Sequence, residues 1–290
     1  MFEYLKKILK IKQVIYYRNI NIKQRKIAIE PWAFIRVKNE RKTIEQCLNS
    51  ILPVIKKGII AYHKLSENEI DDGTEKFITE FCKKNKGYIP YKYKYEVIPA
   101  NDRRYLNLEQ IKKENRLDSF YNAVLQQIPQ NEWLIKIDCD HIYDTEKLKK
   151  VMYLPRNKKE VISFSRFDLH YENSKLYVLK DNYIKDPVDH WLLNNNNIFF
   201  HFKSGERNGK FYAWEQINLK ERVKRKEVKI YHTELFNWHF PFIKDGRTID
   251  KKNLVDFDNF KFKNWEIFLY RISKEMYDKE RIIKYLNNKK

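Results

Sequence analysis

Apolar residues in this chain come in short runs whose period changes along the sequence. Trp32-Ala33-Phe34-Ile35-Arg36-Val37 is almost continuously apolar and predicts a buried strand leaving through a Lys38-Asn39-Glu40 turn. From about Arg41 to Ser50 the period lengthens, with Ile44, Cys47, Leu48 and Ile51 on one helical face. Gly58 to Tyr62 predicts a second strand, and Asp72-Gly73-Thr74 opens a helix that turns Phe77, Ile78 and Phe81 inward. Tyr91 to Val97 alternates aromatic with polar residues at period two, the pattern of a strand with one apolar face, so Tyr91, Tyr93 and Tyr95 read as core-facing. A helix around Leu117 to Gln127 then precedes a fourth apolar run, Trp133-Leu134-Ile135-Lys136-Ile137. Four strand–helix alternations within about 140 residues predict an α/β fold with a mainly parallel sheet and right-handed crossovers.

Beyond Asp144 the pattern changes. Val161 to Phe167, Lys175 to Leu179 and Ile198 to Phe202 predict strands or hairpins, Asn194 to Asn197 a loop, and Phe262 to Tyr285 amphipathic helix. At the other end, Met1 to Tyr17 spaces Leu5, Ile8, Leu9 and Ile15 helically among Lys6, Lys7, Lys10 and Lys12. A basic amphipathic helix of that kind packs on its own domain or lies on an anionic membrane surface.

Composition narrows the function. The chain has 290 residues, enough for one large α/β domain with appendages. Its net charge of +20 favours anionic partners, among them nucleic acid, acidic lipid and phosphorylated substrates. Cys47, Cys82 and Cys139 show no CxxC spacing, which argues against a disulfide framework or structural zinc and suits a reducing cytoplasm. No apolar stretch approaches the ~20 residues of a membrane span. The six glycines supply neither GxGxxG nor a Walker loop, and HExxH and GxSxG are absent. Dinucleotide enzymes, P-loop kinases, zinc proteases and serine hydrolases of the common types are thereby disfavoured.

What remains is Asp138-Cys139-Asp140, directly after the fourth strand. In extended backbone, residues i and i+2 point to one side, so both carboxylates can face one cation and the phosphates it holds. Open α/β sheets bind ligands at the carboxyl ends of their strands. Oxygen ligands and phosphate suit Mg²⁺ or Mn²⁺. An acidic pair on a solvated turn is the alternative reading.

Three stretches carry a resemblance: Pro31-Trp32-Ala33-Phe34-Ile35-Arg36-Val37-Lys38-Asn39-Glu40, Glu132-Trp133-Leu134-Ile135-Lys136-Ile137-Asp138-Cys139-Asp140-His141, and Trp238-His239-Phe240-Pro241. They resemble motifs of bacterial β-1,4-N-acetylgalactosaminyltransferases of lipooligosaccharide synthesis, clearly from about residue 31 to 155 and more weakly around Asp189-His190-Trp191 and Trp238. The resemblance implies a GT-A glycosyltransferase fold with helices on both faces of the sheet and a helical C-terminal part. It also implies a UDP-sugar donor, Mn²⁺ or Mg²⁺, and a galactose-containing lipooligosaccharide acceptor. On that basis residues 1–30 form a basic leader, 31–155 the nucleotide-sugar half, 156–245 the acceptor half and 246–290 a helical tail. A cytoplasmic location at the inner membrane face would suit it.

Position by position, the resemblance places Asp138 near the donor ribose or metal, makes Asp140 the direct metal ligand and matches His239 to a late metal-binding histidine. Unaided, His239 between Trp238 and Phe240 reads as a core histidine. Arg36, Asn39 and Glu40 sit where such folds receive the nucleotide, with an acid-rich helix start as their bland reading. The chain departs from the family at Ala61-Tyr62-His63-Lys64, where relatives carry an Asn-Asp pair, so Asp72 serves as either a uracil contact or a helix cap. An inverting transferase also needs a carboxylate to deprotonate the acceptor hydroxyl. Asp189, beside His190 and Trp191, is the first choice, because the indole offers a sugar an apolar face; Glu215, after Trp214, is the rival. Lys220 to Lys229 carries six basic residues and reads as a solvated face or a phosphate contact.

The expected function is transfer of N-acetylgalactosamine from UDP-GalNAc in β-1,4 linkage. Another UDP-sugar (UDP-Gal, UDP-GlcNAc or UDP-Glc) is the near alternative. A nucleic-acid-binding protein is more distant, because the basic residues are spread along the chain without a recognisable module, and no nucleic-acid partner is expected. A glycosidase built on Asp138 and Asp140 is disfavoured, because such carboxylate pairs stand ~5 Å or more apart across the substrate.

Overall fold

The structure, a computed structural model, describes residues 15–21, 25–64, 66, 69–185, 190–207, 210–243 and 248–287. In chain order the first half runs β1 (Ile15–Tyr17), β2 (Trp32–Val37), α1 (Ile44–Ile51), β3 (Lys57–Lys64), α2 (Thr74–Lys84), β4 (Tyr88–Glu96), α3 (Leu117–Leu125), β5 (Trp133–Asp138), β6 (His141–Tyr143) and α4 (Thr145–Val151). The second half begins with β7 (Glu160–Ser163), β8 (Arg166–Glu172), β9 (Lys175–Leu179), β10 (Ile184–Lys185), β11 (Trp191–Asn194), β12 (Phe200–Arg207) and β13 (Lys210–Ile217). It closes with α5 (Leu219–Lys224), β14 (Lys229–His232), β15 (Asn237–His239), β16 (Leu254–Asp256), α6 (Asn264–Tyr270) and α7 (Lys279–Leu286).

The main sheet has eight strands in the order β1-β14-β7-β11-β5-β2-β3-β4. β2 pairs in parallel with both β3 and β5, and β3 with β4, as the alternating pattern predicts. β11 alone runs antiparallel, wedged between β5 and β7. Two apolar layers cover the sheet. Ile44, Leu48, Ile51, Ile78 and Leu148 bring α1, α2 and α4 onto one face, and Phe120, Val124 and Leu219 bring α3 and α5 onto the other. The expected fold class is therefore observed: a mixed α/β protein with a mainly parallel central sheet and helices on both faces. No helix among the described residues is long and apolar enough to cross a membrane.

A second sheet, β16-β9-β8-β15-β6 with β10 on β8, stands beside the end of β5 and carries its own core around Phe167, Trp238, Tyr270 and Ile282. The α7 helix is tied back to the first half by Asp144, a wholly buried carboxylate that caps α4 at Lys147 N (3.0 Å) and accepts from Arg281 Nε (2.7 Å). The cap by itself contributes about 1 kcal/mol.

Several boundaries differ from the sequence reading. Ile15–Tyr17 pairs in parallel with β14 as an edge strand rather than ending a helix; two aromatics and a β-branched residue suit a pleated surface better. Residues 1–14 of the expected basic helix lie outside the described residues. The stretch from Val161 to Phe167 divides at Phe164-Ser165, placing β7 in the main sheet and β8 in the second. The expected helix from Phe262 to Tyr285 is broken by Arg271, whose φ of 47° ends α6 in a left-handed turn.

Candidate active site

At the carboxyl ends of β2 and β5 lies a cavity of about 410 Å³. Its wall includes Arg36, Glu40, Asp138, Asp140, Glu215 and His239, six of the nine side chains singled out in the sequence. These come from β2 and β5, the turns that follow them, β13 and β15, so strands far apart in sequence converge on one opening. Of the other three, Asn39 donates from Nδ2 to Ile70 O (3.1 Å), and Asp72 accepts from Arg41 N (2.9 Å) and Thr74 N (3.0 Å). Asn39 and Asp72 thus tie the loop after β2 to the start of α2 and are absent from the cavity wall, with Gly73 rather than Asp72 at the N-cap of α2. Asp189 lies outside the described residues.

Asp138 sits among cations. His190 Nε2 is 3.0 Å and Lys136 Nζ 3.4 Å from its Oδ2, and Arg36 is 3.6 Å from its Oδ1. Burial by itself would raise this carboxyl, but Lys136, the His190 hydrogen bond and Arg36 hold it well below the usual carboxylate range. Arg36 is further fixed by lying 3.3 Å over the Tyr121 ring.

Asp140, two residues further on, faces histidines instead. His239 Nε2 is 3.3 Å from Oδ2 and His141 Nε2 is 3.9 Å from Oδ1. The tautomer of His141 follows from its neighbour. Asn237 donates from Nδ2 to Ser165 O (2.8 Å), which turns its Oδ1 toward His141 Nδ1 at 2.9 Å. That nitrogen must therefore carry the ring proton, leaving Nε2 as a bare lone pair beside Asp140. Burial, then the neighbouring His239 and His190, depress the His141 pKa well below its ordinary value, so the ring is neutral. A lone pair and a carboxylate oxygen facing each other without a proton between them is an arrangement that a cation satisfies.

His239 is oriented in the same sense. Its Nδ1 donates to Asp168 Oδ1 at 2.8 Å, which directs Nε2 to Asp140. Burial disfavours the charged ring, but the hydrogen bonds and charges of Asp140 and Asp168 outweigh it and raise the pKa. Asp140, His141 and His239 are all buried, and one ligand atom from each lies within 4.8 Å of the others. This donor set, one carboxylate and two imidazoles with a carboxylate behind one of them, has the chemistry to hold Mn²⁺ and, less naturally, Mg²⁺. Asp138, His141 and His190 form a second group of the same kind, in which the Asp138 oxygens also face Lys136 and Arg36.

Both aromatic arguments for the base are corrected. Trp191 is 3 % exposed and packs against Phe34 and Phe200 with centroids 6.3 and 6.1 Å away, so it is a core residue with no face for a sugar. Glu215 reaches the cavity, but Trp214 is its neighbour on one strand and so points to the opposite face of the hairpin, where it is exposed. In the basic run, Lys220, Lys224, Arg225, Lys226 and Lys229 are exposed, and Arg222 is turned into the fold, bonding Glu227 and Asn196 O.

Sequence reasoning missed His141, Asp168, His190, Lys136, Arg166 and His63, all near the site. His63 lines the cavity with its ring edge-on to Phe120. Arg166 lies on the same wall, 3.5 Å from Asp168. His141 was readable, since it directly follows Asp140. Asp168 and Arg166 carry no local signal, because only the pairing of β8 with β15 brings them in.

A family model described as Beta-1,4-N-acetylgalactosaminyltransferase (CgtA) matches residues 6–289, nearly the whole chain. A search of curated proteins returned no match.

Proposed function

The chain belongs to the beta-1,4-N-acetylgalactosaminyltransferase (CgtA) family and is a glycosyltransferase, and on that premise we propose an inverting, divalent-metal-dependent transfer of N-acetylgalactosamine from UDP-GalNAc to a galactose-containing lipooligosaccharide. The observation that carries the metal and donor parts of this reading is the convergence of Asp140, the bare Nε2 of His141 and His239 on one point of a cavity edged by cations. These three residues would hold the ion, and Asp138 would fix Arg36, Lys136 and His190 around the donor. A bound Mn²⁺ or Mg²⁺ would offset the charge that builds on the departing diphosphate. Arg36 on β2 and Glu40 in the turn after it would meet the nucleotide, and Arg166 adds a further positive charge to the wall.

In the reaction, the acceptor hydroxyl oxygen bonds to the anomeric carbon from the face opposite the diphosphate. The bond from that carbon to the phosphate oxygen breaks, UDP leaves with the electron pair, and a carboxylate takes the hydroxyl proton. We assign the carboxylate to Asp189, which directly precedes His190, the partner of Asp138. Glu215 is the second reading because it lines the cavity. In steady-state assays with UDP-GalNAc and a galactoside, Asp189→Asn is expected to lower kcat about 10²- to 10⁴-fold while UDP binding is kept. Loss of that size in Glu215→Gln, with Asp189→Asn near wild type, transfers the role to Glu215. Running the same assay with UDP-Gal, UDP-GlcNAc and UDP-Glc decides the donor.

A further inference from the structure

A second cavity, also of about 410 Å³, shares Asp140 with the first as a lining residue. Its walls come from α1, β6, β8, the segment after β15 and the end of α7, so the second sheet and two helices form it. It differs in chemistry from the first. Half-buried Phe242 and Tyr171 give it apolar surface, with Ile142 and Phe240 behind them. Two of the lining side chains, His170 and Gln46, each carry a buried polar atom left without a hydrogen-bond partner, Nδ1 and Oε1. His170 is 7 % exposed, and its ring stands edge-on to Phe242 at 6.3 Å.

Buried polar atoms are nearly always hydrogen-bonded, so two orphans on one cavity wall point to a ligand that completes them. Both belong to side chains that are neutral or kept neutral: burial lowers the His170 pKa. A phosphate would call for several cations, whereas the second cavity pairs one, Lys42, with the carboxylates Asp140 and Glu172; Arg36, Lys38, Lys136 and Arg166 line the first. A pyranose ring answers the second cavity better, with hydroxyls for the two orphans and a C–H face for the aromatic wall.

We propose that this second cavity is the subsite for the accepting sugar, with its hydroxyls on His170 Nδ1 and Gln46 Oε1 and its apolar face on Phe242. The assignment rests on the transferase reading above. Asp140, shared by the two cavities, then marks the boundary across which the acceptor oxygen approaches the donor.

The test uses the full chain with UDP-GalNAc, Mn²⁺ and a lactosyl glycoside. His170→Phe keeps an aromatic ring while deleting the nitrogens, and Gln46→Leu removes the orphan oxygen at a half-buried helix position. Each variant is expected to raise the acceptor KM about 5- to 10-fold. The donor KM, the calorimetric Kd for UDP and the slow hydrolysis of UDP-GalNAc by water should stay at wild-type values. The unfolding temperature of His170→Phe should not fall, since it removes an unsatisfied buried group; if that variant nevertheless fails to fold, Gln46→Leu alone decides. An unchanged acceptor KM, or a raised donor KM or UDP Kd, overturns the proposal while leaving the transferase reading intact. Wild-type protein that binds no UDP and transfers no sugar removes the reading beneath it.

Discussion

Asp140→Asn is expected to lower kcat/KM for UDP-GalNAc about 10³-fold, with the fold intact. Asp140 faces both His239 Nε2 and the bare His141 Nε2, so its charge is the anionic part of the proposed donor set. Asparagine keeps the shape but offers a neutral oxygen or an N–H, and an N–H cannot ligate a cation. The loss should persist at high Mn²⁺, because the missing group is the charged ligand itself. A reduction of less than tenfold, with unchanged Mn²⁺ dependence, would show that the cation site lies elsewhere. Asp138, held by Lys136, His190 and Arg36, would then be the first place to look.

Asp168→Asn is expected to act more selectively, raising the Mn²⁺ concentration for half-maximal activity about 10- to 100-fold while maximal turnover at saturating metal largely recovers. Asp168 does not face Asp140 directly; it receives the Nδ1 proton of His239 and thereby presents Nε2 to the site. An asparagine oxygen can still accept that bond, but without the charge that makes the imidazole a better ligand. A titration of activity against Mn²⁺ separates this positioning role from a structural one. A fall in turnover with the half-saturating Mn²⁺ unmoved would contradict it.

The main sheet was legible in the sequence wherever burial on both faces leaves a continuous apolar run. Trp32–Val37 and Trp133–Asp138 show this, each ending in the residue that reaches the site. β11 was not legible, because Trp191-Leu192-Leu193 is short, polar-flanked and inserted antiparallel between strands that are distant in sequence. The break at Arg271 has no glycine or proline to announce it. For the site, Asp138 and Asp140 line one cavity, but Asp140 lies in the turn after β5 and faces His239 and His141 while Asp138 faces Lys136, His190 and Arg36. The period-two rule, applied to Trp214 and Glu215, separates that pair onto opposite faces, which the simple pairing of aromatic with acid overlooked. Asp168 stays invisible to any local reading, since its role depends on the parallel register of β8 with β15, where Asp168 lies opposite His239.

Calorimetric titration of UDP into the protein with Mn²⁺, and again after chelation, tests the central claim most directly. The account predicts saturable binding in Mn²⁺ that is abolished by chelator and by Asp140→Asn. Binding of UDP that is indifferent to metal and to Asp140 would contradict it.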